Sequence, residues 1–275
     1  MARSLRHVNL LLGGFLVLVI VATALLSFVY TPYDPNRMNL GQRFLPPTPA
    51  YPLGTDQYGR DILSRVMKGA VNSIVVGWVA VGMGMGFGVL LGSLAAYWGS
   101  WKDEGIMRLV DVLYGFPAVL SAILITSILG PGIVNSMLAI GIFYIPIFTR
   151  LTRGASFSIW QRDYVTSARA IGQSNRAIIW HTVLPNILSL LVVQATVQFA
   201  IAILAEAALS YLGLGTQPPH ASWGRMLNEA QTFMEISPWL AIFPGLAIAW
   251  AVLGFNLLGD GLRDLLDPKL TRARR

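Results

Sequence analysis

The sequence contains no cysteine. Disulfides, thiolate metal sites and a cysteine nucleophile are excluded by that absence alone. Charge is scarce too: only 12% of the 275 residues are Asp, Glu, Lys or Arg, about half the share in a soluble domain. No G-x-x-x-x-G-K-[ST] phosphate cradle occurs, so the chain is not equipped to hydrolyse ATP by itself. His7, His181 and His220 are scattered, and Ser121, Ser136 and Ser210 have no histidine nearby in sequence, which disfavours an intramembrane hydrolase.

What the chain has in quantity is apolar sequence. Hydrophobic residues make up 55%, in blocks of about twenty, each long enough to cross a ~30 Å hydrocarbon layer. Six such blocks lie near 8–30, 72–98, 108–129, 132–149, 186–210 and 239–260. The expected fold is an all-α integral membrane protein with six transmembrane helices. A β-barrel would show strands of about ten residues with alternating polarity. Arg3, Arg6 and the small residues Ala22–Thr23–Ala24 fit a cleaved signal peptide, but a block of ~22 residues favours a retained first helix.

The formal charge is +7. The basic residues sit between the greasy blocks, so the charge is read as topology rather than nucleic-acid binding. They concentrate before the first block, near Lys102 and Arg108, between the fourth and fifth blocks, and at the C-terminus. This bias places both termini and residues 150–185 in the cytoplasm. Arg60, Arg65 and Lys68 stand against it on the outer side. The expected organisation is a first helix with an extracytoplasmic connector (1–71), a five-helix transmembrane domain (72–265) and a basic cytoplasmic tail (266–275).

In the second block, Gly82/Gly86, Gly84/Gly88 and Gly88/Gly92 create small faces on which helices can approach closely. Pro117 and Pro146 are expected to kink the third and fourth spans, and Pro131 and Pro238 to start helices. Asp111, Glu206 and Asp260 fall near span ends. An ion-coupled carrier places ionisable groups at membrane depth, so Asp111 and Glu206 are read as structural or loop-contacting.

Three polar stretches have helical periodicity but are too short to span. "GRDILSRVMKGA" (59–70) and "SWGRMLNEAQTFM" (222–234) each gather apolar residues on one face, and both are expected along the outer membrane surface. The third is "RDYVTSARAIGQSNRAIIWHTVLPN" (162–186). Tyr164, Val165, Ala168 and Ile171 form one stripe, Gly172 suits a helix-ending left-handed residue, Ser174 or Asn175 can cap a second helix, and Pro185 is expected to break the chain before the fifth span. An interfacial hairpin and a docking knob for a cytoplasmic partner fit this pattern equally.

Here the sequence resembles the permease subunits of bacterial ABC importers, whose loop before the penultimate span carries E-A-A-x-x-x-G-x9-I-x-L-P. Ala168, Gly172, Leu184 and Pro185 agree with it, while Thr166, Ser167 and Thr182 replace its Glu, first Ala and Ile. "LGTDQYGRDILSR" (53–65), "ALSYLGLGTQPPHASWGRML" (208–227) and "FPGLAIAWAVLGFNLLGDGLRDLLDPKL" (243–270) look like the dipeptide, oligopeptide and nickel branch, second permease type. The resemblance covers nearly the whole chain. It implies a type I ABC importer permease in the bacterial inner membrane, paired with a homologous permease. Thr166, Ser167, Ala168, Arg169, Gly172, Leu184 and Pro185 would form the coupling loop to one of two cytoplasmic ATPase subunits. Those subunits would bind ATP and Mg, leaving no cofactor in this chain. An extracytoplasmic solute-binding protein would deliver the solute near 211–238. Peptides are the implied solute, although similar permeases carry nickel chelates, glutathione and some sugars. An ion-coupled secondary transporter is the alternative.

Overall fold

The computed structural model describes residues 2–266, with side chains from Val8 onward. The helices in order are α1 (Ala2–Val29), α2 (Ile62–Trp98), α3 (Ser100–Tyr114), α4 (Ala118–Leu129), α5 (Ile133–Trp160), α6 (Asp163–Ala170), α7 (Asn175–Ile178), α8 (Leu184–Tyr211), α9 (Trp223–Ala230) and α10 (Trp239–Leu266). Strands are absent among the described residues apart from an isolated bridge between Thr55 and Asp61. Five helices are long and apolar enough to cross a membrane, and α3 with α4, bent by 83°, adds a sixth if the pair is one span. The all-α expectation is met among the described residues, with five to six candidate crossings against the six expected. The basic tail expected at 266–275 lies, from residue 267 onward, outside the described residues.

The central contact is α2 against α5. Gly84, Gly88 and Gly92 are buried on one face of α2. A Cβ added to Gly88 would sit 2.5 Å from Cβ of Phe148, so the two backbones touch only because that atom is missing. The neighbouring face is different: Gly82 and Gly86 are exposed and meet nothing within 4 Å. Only one of the two small faces is used within the chain.

Helices α1 and α10 run antiparallel, and the Trp250 indole donates to the Leu16 carbonyl at 3.2 Å. Phe255 of α10 stacks on Phe199 of α8 with ring centroids 4.2 Å apart, and the Tyr144 hydroxyl of α5 donates to the Gln198 carbonyl at 3.0 Å. The starts of α1 and α6 and the end of α10 thus share one end of the bundle, called here the loop end. The connector 30–61 and α9 occupy the other, the connector end.

Several expectations change. Residues 59–70 are not a separate surface helix. Asp61 caps α2 by accepting from the Ser64 N–H at 2.8 Å, and the helix then runs unbroken for 37 residues through the expected boundary at 71/72. No proline interrupts it, and its arginines are neutralised by partners described below, so the segment need not lie flat. The stretch 222–234 does form α9 and a following 3-10 turn, but Trp223, Met226 and Ala230 are buried against neighbouring helices rather than turned to lipid. Pro146 sits inside a helix that extends to Trp160, eleven residues past the expected end of the fourth span. Pro117 does more than kink the third span: α3 and α4 meet at 83° across Gly115–Pro117. Pro131 and Pro238 precede helices as expected.

Pro185 does not break the chain. Ile179–Val183 form one π-helical turn, in which the Leu184 N–H reaches back to the Ile179 carbonyl. Asn175–Tyr211 is thereby one continuous 37-residue helical rod. Proline lacks an N–H and crowds the carbonyl four residues back, and the wider turn relieves both demands.

Candidate functional site

The loop 162–186 begins where α5 ends. Its first helix, α6, closes with two backbone bonds: Gly172 N–H to the Arg169 carbonyl at 3.0 Å, and Gln173 N–H to the Ala168 carbonyl at 3.1 Å. This is a Schellman cap, and it places Gly172 at φ +85°. The next residues restart the helix at once, the Ser174 hydroxyl accepting from the Ala177 N–H. Two helices are thus locked around a four-residue connection, 171–174, capped at both ends.

The loop is anchored by few side chains. Val165, Ile178 and Val183 are fully buried and join the main core. The Asn175 amide donates to the Tyr97 hydroxyl at 3.0 Å, tying the second half of the loop to the end of α2, and the Arg169 guanidinium lies over the Trp160 ring at 4.8 Å. The expected apolar stripe therefore splits. Val165 and Ala168 turn inward, while Tyr164 and Ile171 are exposed.

Of the site residues expected from sequence, Thr166, Ser167, Arg169 and Gly172 come together on the exposed surface of α6 and its cap. Ala168 is half-buried beneath them. Leu184 and Pro185 lie apart, past the π-turn: Leu184 packs on the core and Pro185 is exposed. Exposed Ile171 and Trp180 add apolar area, 79% and 69% accessible. Arg162, Arg169 and Arg176 form no ion pair with any carboxylate among the described residues. The result is a capped, apolar and basic knob, joined to α5 through Gln161–Arg162 and continuous with α8 through the π-turn.

The connector end carries a second constellation. Arg60 and Arg65 are 2% and 1% accessible. Arg60 pairs with Asp56 and, at 2.8 Å, with Glu229 of α9; Arg65 reaches the same Glu229 oxygen at 3.3 Å; Arg225 holds the other Glu229 oxygen at 3.1 Å. This network fastens the connector and the start of α2 to α9. Sequence reading missed it, although Asp56/Arg60 and Arg225/Glu229, both spaced by four, were a usable signal.

Glu206, in the last turns of α8, is fully buried with no cation beside it. It accepts from the Ser210 hydroxyl at 2.6 Å and the Thr216 hydroxyl at 3.2 Å, pinning the loop that leads to α9. Asp111 pairs with Arg150 on α5. Both carboxylates therefore make the structural contacts expected of them. Asp260 is exposed. No cluster of three potential metal ligands exists among the described residues.

Relatives place this geometry. The chain is 42% identical over 261 residues to the dipeptide transport system permease protein DppC of Alkalihalophilus pseudofirmus, covering 95% of this chain and 84% of that protein. It is 44% identical to the glutathione transport system permease protein GsiD of Pectobacterium atrosepticum, covering 98% and 89%. It is 43% identical to the di/tripeptide transport system permease protein DppC of Pseudomonas aeruginosa, covering 98% and 92%. In fold it is similar to a chain of the inward-facing MetNI methionine ABC transporter, with a TM-score of 0.61 at 15% identity, over 76% of this chain and 96% of that one. Residues 88–272 match the family model described as binding-protein-dependent transport system inner membrane component. A helical membrane bundle with a stiff loop-end knob, matched at this identity over nearly its full length, belongs to the family of binding-protein-dependent transport system inner membrane components.

Proposed function

We propose that the chain is the permease subunit of an ATP-driven importer of short peptides in the bacterial inner membrane, with both termini and the loop knob in the cytoplasm. The names of the relatives support peptides, glutathione being itself a tripeptide. A homologous permease completes the path, an extracytoplasmic binding protein delivers solute at the connector end, and two ATPase subunits dock at the loop end. There Thr166, Ser167, Arg169, Ile171 and Gly172 form the docking surface. Residues 1–61 supply the first helix and connector, and the transport domain begins with α2 at Ile62.

One observation carries the coupling role. The knob has no slack: a Schellman cap and a Ser174 cap lie between α6 and a helix that continues without a break into α8. Motion imposed on the knob is delivered to membrane-spanning rods as tilt, the way packed helices transmit shear.

The test is purification and reconstitution with the neighbouring subunits. ATP should drive dipeptide uptake into proteoliposomes, and a cysteine at Ser167 or Ile171 should cross-link to an ATPase subunit. Uptake that follows an imposed proton gradient and ignores ATP would instead favour an ion-coupled carrier.

A further inference from the structure

Helices α3 and α4, taken together as one bent crossing, break at 83° across Gly115–Pro117. Helix α4 has 12 residues, about 18 Å at ~1.5 Å per residue, well short of the ~30 Å hydrocarbon core. Ala118, in its first turn, borders a small apolar cavity with Tyr144 of α5 and Ile201 of α8. Tyr144 lies about 16 Å along α5 from its connector-end start, and Ile201 about 15 Å from the connector-end finish of α8. The elbow at Gly115–Pro117 is therefore near mid-bilayer.

Much of its backbone is unpaired, although the Gly115 N–H donates to the Asp111 carbonyl at 2.9 Å and the Pro117 carbonyl accepts from the Ser121 N–H at 3.0 Å. The carbonyls of Leu113, Tyr114, Gly115 and Phe116 accept no hydrogen bond among the described residues, and the N–H groups of Phe116, Ala118, Val119 and Leu120 donate none. The turn at the other end of α4 is closed: the Asn135 amide donates to the carbonyls of Leu129 and Gly130 at 3.0 and 2.9 Å, and the Gly132 N–H donates to Leu214 at 3.0 Å. Each unmet group in hydrocarbon costs several kcal/mol, so lipid cannot be what faces the elbow.

A charged pair lies beside it. Asp111 of α3 and Arg150 of α5 are 2.6 Å apart with side chains 60% and 40% accessible, and Arg150 also lies over the Tyr114 ring at 4.2 Å. Exposed charges within a bundle face a watery cavity or protein, not acyl chains.

We propose that the solute path runs past this elbow, the backbone from Leu113 to Leu120 and the Asp111–Arg150 pair forming a polar stretch of its wall. The proposal rests on the importer reading above and names the part of the chain that solute meets. The wall suits a zwitterion: free carbonyls and Asp111 for an ammonium group, the free N–H groups of α4 and Arg150 for a carboxylate.

The natural absence of cysteine makes the test direct. Phe116→Cys and Val119→Cys, each reconstituted with the partner subunits and checked for ATP-driven dipeptide uptake, are treated with a charged, membrane-impermeant thiosulfonate. Trp101→Cys, on α3 at the loop end, is the control. Phe116→Cys or Val119→Cys should react several-fold faster in the nucleotide-free state than in the ATP–vanadate-trapped state, while Trp101→Cys reacts alike in both. Reaction at both elbow positions that is independent of state, confined to a lipid-soluble maleimide, or absent altogether would overturn the proposal. Failure of the wild-type preparation to import dipeptide under ATP would instead remove the importer reading, whatever the labelling shows.

Discussion

Arg65, in the first turn of α2, and Glu229, on α9, are 3.3 Å apart, one 1% and the other 11% accessible. Arg60 shares the same carboxylate oxygen. Two buried guanidinium groups thus depend on one acid from a distant part of the chain.

Removing that acid should be costly. Glu229→Gln leaves two buried cations with only Asp56 between them, and breaking a buried pair in this way costs about 3–5 kcal/mol. A clear fall in the thermal midpoint of the detergent-purified protein is expected, with Glu229→Asp intermediate. An unchanged midpoint would show that the connector is held some other way.

Gly172 should be sensitive to shape only through its backbone. A Cβ there meets nothing within 4 Å, but φ is +85°. Gly172→Val pays the left-handed penalty, roughly 1–2 kcal/mol for an L-residue, and opens the Schellman turn, whereas Gly172→Asn tolerates the angle better. The valine variant should reach the membrane and permit ATP hydrolysis by the complex while uptake falls. Normal uptake would count against the knob as the coupling element.

The two glycine faces of α2 should behave differently. Gly88→Val drives a methyl into Phe148 and the Ile145 carbonyl and should destabilise the chain by about 1–3 kcal/mol, as overpacking does. Gly86→Val enters open space and should leave the stability of the isolated chain unchanged. Thermal unfolding of the two variants side by side decides this.

Glu206 should matter for its hydrogen bonds and not for its charge. Glu206→Gln keeps an acceptor for Ser210 and Thr216, so ATP-driven uptake should persist and stay indifferent to a collapsed proton gradient. Glu206→Ala strands both hydroxyls, at about 1–3 kcal/mol for each unsatisfied group, and should loosen the loop before α9, visible as faster proteolysis there. Loss of uptake in the glutamine variant alone would revive a proton-carrying role.

The local devices were legible because each is written in adjacent residues. Gly172 and Ser174 announced the turn in the knob, and the spacing of Gly84, Gly88 and Gly92 announced a packing face. Pro185 misled because a proline's effect depends on the geometry of the preceding turn, and nothing in the residue itself selects a π-turn over a break. Arg60 and Arg65 misled because two arginines in an amphipathic stretch look solvated until their acids are found, one of them more than 160 residues away.

The sequence by itself determined that this chain lives in a membrane, where its apolar blocks fall and where its capped polar loop lies, since hydrophobic length and turn chemistry are local properties. Tertiary structure alone decided which glycine face packs, that α9 folds down onto the bundle under a buried charge network, and that α3 and α4 meet at 83° across Gly115–Pro117. Those outcomes turn on which distant group arrives to neutralise a charge, fill a groove or satisfy a carbonyl, and that choice is made only when the helices meet.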